Sequence, residues 1–589
     1  MMNWDLTYFY KNQEEFDKDY NKVKEMVNKL ASFKGKLGNE ESFKDYLLSS
    51  KETDLVFGKV FMYAHLKSDL NKKDIEASSL YSRVMSLYQN YNTLVSFDGP
   101  EILSLGKEKV LGFIDNNPEI EEFRFKMEKM FFSEDHFLDG KSEELMAIMG
   151  PASSRSRDLY GALSVADGKG VKVRLSNKKE YTVTQGNWRM LVSTAPTAKD
   201  RKKVFEAIFN YYEEHKNTYA AIYEGNILAN KANAKARNYN SILEKFLTPN
   251  NIPTSVFLNL IDVASKKNAS LKKYIRLRKK YLGLSRHNTY DRFLELAKSD
   301  KKYTFEEAKE LFFASIKDCP KDFQDKAREA LKEGFVDVME KDGKRSGAYS
   351  SSQANIHPFI LLNYNGTLDD VFTVAHESGH SMHTMYSEEA QPPTLQDYTI
   401  FVAEIASTFN EHMLLDYLMK SEKLDKNDKI MLLQKAIDEI FATFYRQTLF
   451  AEYELIANRM GENDEPINHE VLSKIMIDLY KKYYGIDITK ERVKQYVWAY
   501  IPHLFYTPFY VYQYATSFAA SFKLYKNVKE NGEEAFEKYL GLLRAGGSKY
   551  PIDEAKDAGV DFTKKETYMA VVERMDDLVS QLEKLLEEK

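Results

Sequence analysis

The sequence predicts a large, mainly α-helical protein that also carries a small β element. Several long stretches repeat apolar residues at intervals of three and four, which places those residues on one face of an α-helix. Patterns that cap helix starts precede two such stretches. In one region the residue type alternates with a period of two, which is the pattern of the strands of a β-hairpin. At 589 residues, the chain is expected to form two or three subdomains or one large multi-lobed helical body.

The first helix is expected shortly after Tyr10. Its apolar stripe has offsets of 4, 3, 4 and 3 residues and consists of Phe16, Tyr20, Val23, Val27 and Leu30. Mixed apolar and charged segments of the same kind follow over residues 63–91 and 121–130. The first third of the chain is therefore predicted to be mostly helical.

The pattern changes at residues 171–175 and 181–184, where the residue type alternates with a period of two on either side of a turn-rich link. This pattern predicts a β-hairpin. Thr197 and Asp200 then match a capping box that opens the next long helix. A domain boundary is expected near residue 190. It divides the chain into an N-terminal helical domain of residues 1–190, which ends in the hairpin, and a C-terminal domain of residues 191–589.

Further along, residues 334–367 are rich in Gly, Ser and Asn and predict a loop. This loop feeds a short strand at Phe359–Tyr364. Helices resume from Lys429. An amphipathic helix from about Tyr568 to Leu586 closes the chain, and we expect it to be structural because its apolar seam is short for a coiled coil.

Composition excludes some classes of function. The net charge is −5, from 84 basic and 89 acidic residues, which argues against a nucleic-acid partner. No signal segment and no apolar run of membrane-spanning length is visible, and Cys319 is the single cysteine. These features predict a protein of the reducing cytoplasm without a membrane partner. Cys319 lies in no catalytic pattern and is expected to be a structural thiol.

The strongest chemical signal is His376-Glu377-Ser378-Gly379-His380, a His-Glu-x-x-His zinc-hydrolase motif within a predicted helix. Histidines four apart on a helix lie on one face and can bind one cation, while Glu377 points about 100° round and reaches the water of that ion. Thr367 and Asp370 match a capping box, so the helix is expected to begin there. Gly379 costs about 1 kcal/mol in mid-helix, which suggests a close neighbour, although a tolerated glycine is the simpler explanation.

Catalytic zinc takes three protein ligands and a water. His383 lies seven residues from His376, about 10 Å along a helix axis, so it is expected to be a supporting or core histidine. Glu404 is the better third ligand, because a carboxylate among Phe401, Ile405 and Phe409 is costly to bury unless it is paired or binds metal. Glu411 suits an acceptor that orients a ligand imidazole, and a solvated acid is the competing interpretation.

Residues 500–514 are unusually rich in tyrosine and contain His503. Most aromatic stripes are core. A histidine among phenols could also donate hydrogen bonds to the oxyanion that forms when a peptide bond is attacked. The sequence leaves these two roles open for His503 and at least one tyrosine.

Residues 376–383, Phe401–Glu404 and His503–Tyr514 together resemble the thimet-type oligopeptidase family of zinc metallopeptidases, and most closely its bacterial oligoendopeptidase F branch. Supporting matches are Trp4–Leu6, Arg237–Ser241 and Tyr510–Thr516. The resemblance implies a two-lobed helical body that encloses a deep substrate channel, which admits short unfolded peptides. It also implies the metal ligands His376, His380 and Glu404, with Glu377 as general base.

The same resemblance implies that His503 and tyrosines orient the substrate. Tyrosine spacing differs between branches of the family, so Tyr506, Tyr510, Tyr512 and Tyr514 are alternatives, of which Tyr506 and Tyr512 are favoured. The expected protein is a zinc endopeptidase with one zinc ion per chain, whose zinc-bound water attacks the scissile carbonyl while Glu377 transfers the proton to the leaving amine. Two alternatives remain, a dipeptide-releasing metallocarboxypeptidase and a non-catalytic peptide-binding protein.

A strand beside the motif helix could pair with an extended peptide through main-chain hydrogen bonds. Phe359–Tyr364 is the candidate for this edge strand. An ordinary connecting strand is an equally good interpretation of the same residues.

Overall fold

The computed structural model describes residues 3–299, 301–422 and 424–588, and they form a mainly α-helical protein with two small sheets. The helices up to residue 236 are α1 (Gln13–Ala31), α2 (Glu40–Leu70), α3 (Ile75–Val95), α4 (Asp98–Leu105), α5 (Lys107–Asn116), α6 (Arg124–Phe132), α7 (Gly140–Ser153), α8 (Arg155–Gly161), α9 (Trp188–Thr194), α10 (Ala198–Glu214) and α11 (Lys216–Ala236). Those from residue 242 to 462 are α12 (Ile242–Leu247), α13 (Thr254–Lys266), α14 (Ala269–Tyr281), α15 (Phe305–Ser315), α16 (Lys321–Ala330), α17 (Leu368–Ala390), α18 (Ile400–Met419), α19 (Lys426–Glu439) and α20 (Arg446–Glu462). The remaining helices are α21 (His469–Tyr484), α22 (Val497–Tyr500), α23 (His503–Tyr506), α24 (Tyr512–Asn531), α25 (Glu533–Ala545), α26 (Pro551–Asp557) and α27 (Lys565–Glu587). The predicted mainly α class is confirmed.

The helix predictions at both ends of the chain are confirmed. All five residues of the first predicted stripe are buried in α1. The last helix, α27, buries Val572, Met575, Val579 and Leu582. At Thr197 the helix starts as predicted, but the capping is one-sided: Thr197 accepts from the Asp200 N–H, while the Asp200 carboxylate accepts from Ser176 instead of the Thr197 backbone.

Two sheets account for the strands. Strand β1 (Val171–Arg174) pairs antiparallel with β2 (Glu180–Val183), with Val171 opposite Val183, and confirms the predicted hairpin. The second sheet has the order β3 (Val336–Met339), β5 (Phe359–Tyr364), β4 (Tyr349–Ser351). The residues 334–367 that were expected to form a loop therefore include two strands, β3 and β4, besides the predicted strand β5.

Strand β5 is the centre of its sheet, pairing in parallel with β3 and antiparallel with β4. Of the two interpretations of Phe359–Tyr364, the edge strand is wrong, because both of its edges already make main-chain pairs. Its side chains explain the central position, because five of its six residues are buried and apolar or aromatic; the exception is Asn363. Such a near-continuous apolar run is typical of a strand that is covered on both faces.

The chain folds into two compact units. The first consists, within the described residues, of 3–134, 301–420 and 524–560. Its apolar core gathers side chains of α1, α2 and α3 around Phe359 and Leu361 of β5. The Trp4 indole donates to the Ile360 carbonyl at 2.8 Å, which ties the N-terminal segment to the strand that leads into α17.

The second unit consists of residues 135–299, 421–523 and 561–588, except residue 423. Much of its interior is aromatic. Tyr160 of α8 stacks on Phe505 with ring centroids 4.0 Å apart, and Tyr219 and Tyr223 of α11 are buried nearby. Residue 190 lies inside this unit, so the two compact units differ from the division into residues 1–190 and 191–589, which stays a prediction.

Two smaller expectations concern Cys319 and membranes. Burial raises the pKa of the Cys319 thiol to about 12, and its sulfur lies 3.6 Å from that of Met413, as expected of a structural thiol. Among the helices that the structure describes, none combines the length and apolar character needed to cross a bilayer.

Candidate metal centre

Two helices bring three ligand atoms into one triangle. His376 and His380 of α17 have their Nε2 atoms 3.2 Å apart. Oε2 of Glu404, on α18, lies 3.4 Å from the first of these atoms and 3.5 Å from the second. Ligands bound about 2.0–2.1 Å from a tetrahedral zinc ion are separated by roughly 3.3 Å. The donor set and the spacing of the triangle therefore suit one tetrahedral metal ion.

Gly379 allows the two helices to approach so closely. A Cβ atom at this position would lie 2.6 Å from the Ala406 carbonyl oxygen and 2.6 Å from the Ser407 Cα, and backbone atoms cannot rotate away. The close neighbour suggested by the sequence is confirmed, and it is α18. Asn410 adds a second tie, since its Nδ2 donates to the Ala375 carbonyl at 3.1 Å.

The start of α17 is set by a reciprocal capping box, as predicted. The Asp370 N–H donates to the Thr367 hydroxyl at 3.2 Å, and the Thr367 N–H donates to the Asp370 carboxylate at 2.8 Å. These bonds satisfy backbone donors that a helix start leaves without partners. They fix the register of the helix and so the direction in which His376 and His380 point.

Glu411 orients one of the histidines. Its Oε1 lies 2.5 Å from His376 Nδ1, and the residue is only 7% exposed. A hydrogen bond at Nδ1 leaves Nε2 as the atom that faces the triangle. The contact predicted from sequence is therefore present, and Glu411 is not a solvated acid.

The charges of the triangle are strongly coupled. Burial alone would lower the pKa of His376, but its hydrogen bonds with Glu404 and Glu411 raise it well above its usual value. Burial, together with the charge on His376, lowers the pKa of His380 to about 4. Burial opposes ionisation of Glu404, yet the two histidines lower its pKa to about 2. A positive charge within the triangle is thus favoured, which is what a bound cation provides.

Glu377 lies beside the triangle and outside it. Its side chain is 6% exposed, and Oε2 has no hydrogen-bond partner among the described residues. Burial raises the pKa of this carboxyl to about 7, against the opposing effect of His376 and of a backbone hydrogen bond from Ser350 in β4. A carboxyl with a pKa near neutral can both accept and release a proton at physiological pH.

His383 is a core residue. It is fully buried, its ring stacks on Tyr398 with centroids 3.6 Å apart, and neither ring nitrogen has a partner among the described residues. Burial, with a contribution from His380, lowers its pKa to about 3, so the ring is neutral. Its position outside the ligand triangle agrees with the helix-geometry argument made from the sequence.

The histidine and tyrosines of residues 503–514 belong to the second unit. His503 stacks on Tyr510 at 6.0 Å and meets Tyr514 edge-on at 6.2 Å, and all three are half-buried. Tyr506 instead meets Tyr160 edge-on at 5.2 Å. Tyr512 is only 2% exposed and packs on Phe257. The structure thus groups His503 with Tyr510 and Tyr514, and burial disfavours the expected role of Tyr512.

One supporting residue escaped the sequence analysis. Glu454 of α20 is buried, and its Oε1 accepts the Phe509 N–H at 2.8 Å. Phe509 has a φ of +54°, a strained conformation for a bulky side chain. The bond holds the link between α23 and α24. Tyr510 lies in this link, and the two helices carry His503 and Tyr514, the other members of the His503 cluster. The sequence offered one signal for Glu454, which is an acidic residue between Tyr453 and Leu455 in an apolar stretch. Its partner, Phe509, is 55 residues away in the sequence and could not be inferred from it.

Two family profiles match the chain. Peptidase family M3 matches residues 191–573, and Oligopeptidase F matches residues 101–169. The first match spans α17, α18 and the residues of the His503 cluster.

Curated relatives match over nearly the full length. Oligopeptidase PepF of Bacillus subtilis (strain 168) is 32% identical over 585 residues, which cover 99% of this chain and 87% of that protein. An oligoendopeptidase F homolog of Borreliella burgdorferi is 34% identical over 567 residues, covering 96% of this chain and 95% of that one.

Solved structures agree with these matches. A crystal structure of a peptidase from Chlamydophila abortus has a TM-score of 0.90 and 31% identity, covering 99% of this chain and 98% of that chain. The oligoendopeptidase-F of Enterococcus faecium has a TM-score of 0.76 and 28% identity, covering 98% of this chain and 99% of that chain.

Proposed function

The chain belongs to peptidase family M3 and is a metalloendopeptidase, and we propose that it uses one zinc ion to hydrolyse internal bonds of short, unfolded peptides. One observation carries the proposal. The Nε2 atoms of His376 and His380 and Oε2 of Glu404 lie 3.2–3.5 Å apart, directly beside the buried carboxylate of Glu377. Three ligands and a neighbouring base are the parts that a metal-assisted hydrolase needs.

Zinc is the metal that best matches these donors. Two imidazoles and one carboxylate form the ligand set of several catalytic zinc sites, and the spacing suits tetrahedral coordination. When bound, the ion would supply Lewis-acid chemistry by lowering the pKa of a water molecule and polarising the scissile carbonyl. His376, His380 and Glu404 would hold it, with Glu411 fixing the ring of His376.

Glu377 is the proposed general base. With a pKa of about 7, it would accept a proton from the attacking water and then deliver that proton to the leaving amine. The exposed fraction of its side chain is small, so bulk water competes little for this proton. A proton transfer of this kind contributes about 10²–10⁴-fold in rate.

We assign oxyanion stabilisation to His503 with Tyr510 or Tyr514. Burial and the nearby charge of Arg446 lower the pKa of His503, so its ring is neutral at pH 7 and can donate one hydrogen bond. The two tyrosines are its ring neighbours and can donate through their hydroxyls. Removing one donor of this kind typically costs roughly 3 kcal/mol of transition-state stabilisation.

Strand β4 is the proposed pairing edge for a peptide. It is an outer strand of its sheet, and its Ser350 N–H interacts with Glu377. The Ser350 hydroxyl also lies 2.8 Å from that of Ser381 on α17. An extended peptide bound along β4 would therefore pass the base, with its main chain held by hydrogen bonds.

The test is cleavage of an internally quenched peptide of about ten residues. We expect cleavage that a chelator abolishes and stoichiometric zinc restores, with first products cut at internal bonds in mass spectra. Successive release of C-terminal dipeptides would instead support a dipeptide-releasing carboxypeptidase. Retention of one zinc ion without any cleavage would support a peptide-binding protein.

A further inference from the structure

The second unit contains a cavity of about 160 Å³ whose lining includes none of the proposed metal ligands, nor Glu377, nor His503, Tyr510 or Tyr514. Its walls are aromatic, with Phe205, Phe209, Tyr480 and Phe441 among them. Four basic side chains also line it: Arg189, Arg292, Arg446 and Lys494. No aspartate or glutamate is among its lining residues in the described part of the chain.

Three of the four cavity cations have no hydrogen-bonding or anionic partner among the residues that the structure describes, while Arg189 donates to the Tyr500 hydroxyl at 3.4 Å. Within the described residues, the side chains of Arg292, Arg446 and Lys494 make no hydrogen bond or ion pair. Each lies over an aromatic ring, with Lys494 Nζ 5.2 Å from the Phe209 centroid and Arg292 4.7 Å from that of Phe441. Cation–π contacts of this kind leave the positive charge uncompensated.

Glu491, the acid whose charge acts on Lys494, is already engaged. Glu491 accepts hydrogen bonds from the Thr289 N–H at 3.0 Å and the Thr289 hydroxyl at 2.6 Å. It does not line the cavity. Lys494 is only 9% exposed, and a buried cation is costly unless an anion compensates it.

We propose that this cavity binds a small oxyanion with two or more negative charges, of the sulfate or phosphate class. Arg446 and Arg292 offer several N–H donors in a planar fork, the geometry that suits tetrahedral oxyanions. Lys494 adds a third, independent positive charge. The phenols of Tyr480 and Tyr484 line the same space and can donate further hydrogen bonds.

The electrostatics of Lys494 support the geometry. Burial, together with the charges of Arg446, Arg292 and Arg189, lowers its pKa to about 7 against the opposing charge of Glu491. Burial and Arg292 likewise lower the pKa of Arg446. A bound dianion would offset the repulsion among these cations and favour the protonated form of Lys494.

Isothermal titration calorimetry with sodium sulfate at constant ionic strength tests the proposal. We expect saturable binding of one sulfate per chain, weakened at least tenfold in Lys494→Met and in Arg446→Met. Lys490→Met is the matched control, because Lys490 is exposed and outside the cavity, and it should bind sulfate as the unchanged chain does. The proposal would be overturned if the unchanged chain showed no saturable binding. It would also be overturned if both cavity variants bound sulfate as tightly as the unchanged chain does.

Thermal melting separates lost binding from lost folding. Without sulfate, Lys494→Met should melt at or above the temperature of the unchanged chain, because it removes a buried charge, and it should gain less when sulfate is added. A variant that melts lower yet gains as much from sulfate as the unchanged chain does would contradict the assignment of Lys494.

A pH series adds an independent check. Sulfate does not titrate near neutral pH, so its binding should weaken as the pH rises through the Lys494 pKa, and Lys494→Met should lose this dependence. An identical pH dependence in that variant would contradict the role of Lys494. The other charged or titratable groups that face this lysine or line the cavity are Arg189, Arg292, Arg446, His287, Glu491, Tyr290, Tyr480, Tyr484 and Tyr500.

Discussion

Glu411 shows how a residue outside the ligand triangle can control it. Its carboxylate holds His376 by Nδ1 at 2.5 Å, which leaves Nε2 free to face His380 and Glu404. Because an imidazole can rotate about its Cβ–Cγ bond, a ligand without this partner loses both orientation and basicity.

Replacing Glu411 by alanine should therefore weaken metal binding by about 10–100-fold. The affinity is measured by competition with a chromophoric zinc chelator. Glu411→Gln is the matched control, since its amide oxygen can still accept from Nδ1, and it should retain more of the affinity than Glu411→Ala does. Unchanged zinc affinity in Glu411→Ala would show that the contact does not support the ligand.

At the scale of elements, the site depends on how closely α17 and α18 pack. Gly379 removes the side chain that would collide with the backbone of Ala406 and Ser407. The same approach brings Glu404 within 3.5 Å of both histidines. The separation of the two helices and the geometry of the ligand triangle are thus consequences of one residue.

Gly379→Ala should destabilise the protein by about 1–3 kcal/mol, because the added methyl group forces the helices apart, and should also weaken zinc binding. Urea unfolding of the metal-free protein measures the first effect. Gly541→Ala on α25 is the control, since a Cβ there meets nothing within 4 Å. It should be neutral or stabilise by up to about 1 kcal/mol. Equal stability of the two variants would contradict the packing argument.

A second connection between elements is made by Asp69 of α2. This fully buried carboxylate accepts from Arg345 at 2.9 Å and from the Tyr349 hydroxyl at 2.8 Å. Burial would raise its pKa, but hydrogen bonds with His65, Lys72, Tyr349 and Arg345 outweigh burial and lower it. The interaction anchors β4, the strand beside Glu377, to the N-terminal helices.

Because the pKa of Asp69 is lower in the folded state, its stabilisation is fully present above the unfolded pKa of about 3.9 and is lost as the pH falls below that value. Asp69→Asn should cost about 2 kcal/mol at pH 7 and reduce the loss of stability in acid. Urea midpoints measured at neutral and acidic pH test this. A constant difference between the two proteins at every pH would contradict the linkage.

At the scale of the whole molecule, local patterns predict elements better than they predict assembly. The stripe in α1, the β1–β2 hairpin and the capped start of α17 all follow from residues within a few positions of one another. The two compact units do not, because each joins three segments that are far apart in sequence. The central position of β5 has the same origin, since it depends on pairing with strands that the sequence does not mark.

The same distinction applies to the site. Spacing on one helix predicts that His376 and His380 converge, and the cost of a buried acid points to Glu404. Which tyrosines accompany His503 depends on tertiary packing: Tyr512 is two residues from Tyr510, yet it is buried against Phe257 while Tyr510 stacks on His503. Glu454 was missed because its partner, the strained Phe509 backbone, comes from a distant segment.

The proposed catalytic centre consists of Glu377 as the base and His376, His380 and Glu404 as the ligands of a metal ion. The most direct test compares zinc content and peptide cleavage in Glu377→Gln and in Glu389→Gln, which removes another carboxylate of α17 that pairs with Lys326. We predict one zinc ion per chain in both variants, at least a 10²-fold loss of cleavage rate in Glu377→Gln, and normal cleavage in Glu389→Gln. Near-normal cleavage by zinc-loaded Glu377→Gln would show that Glu377 is not the base.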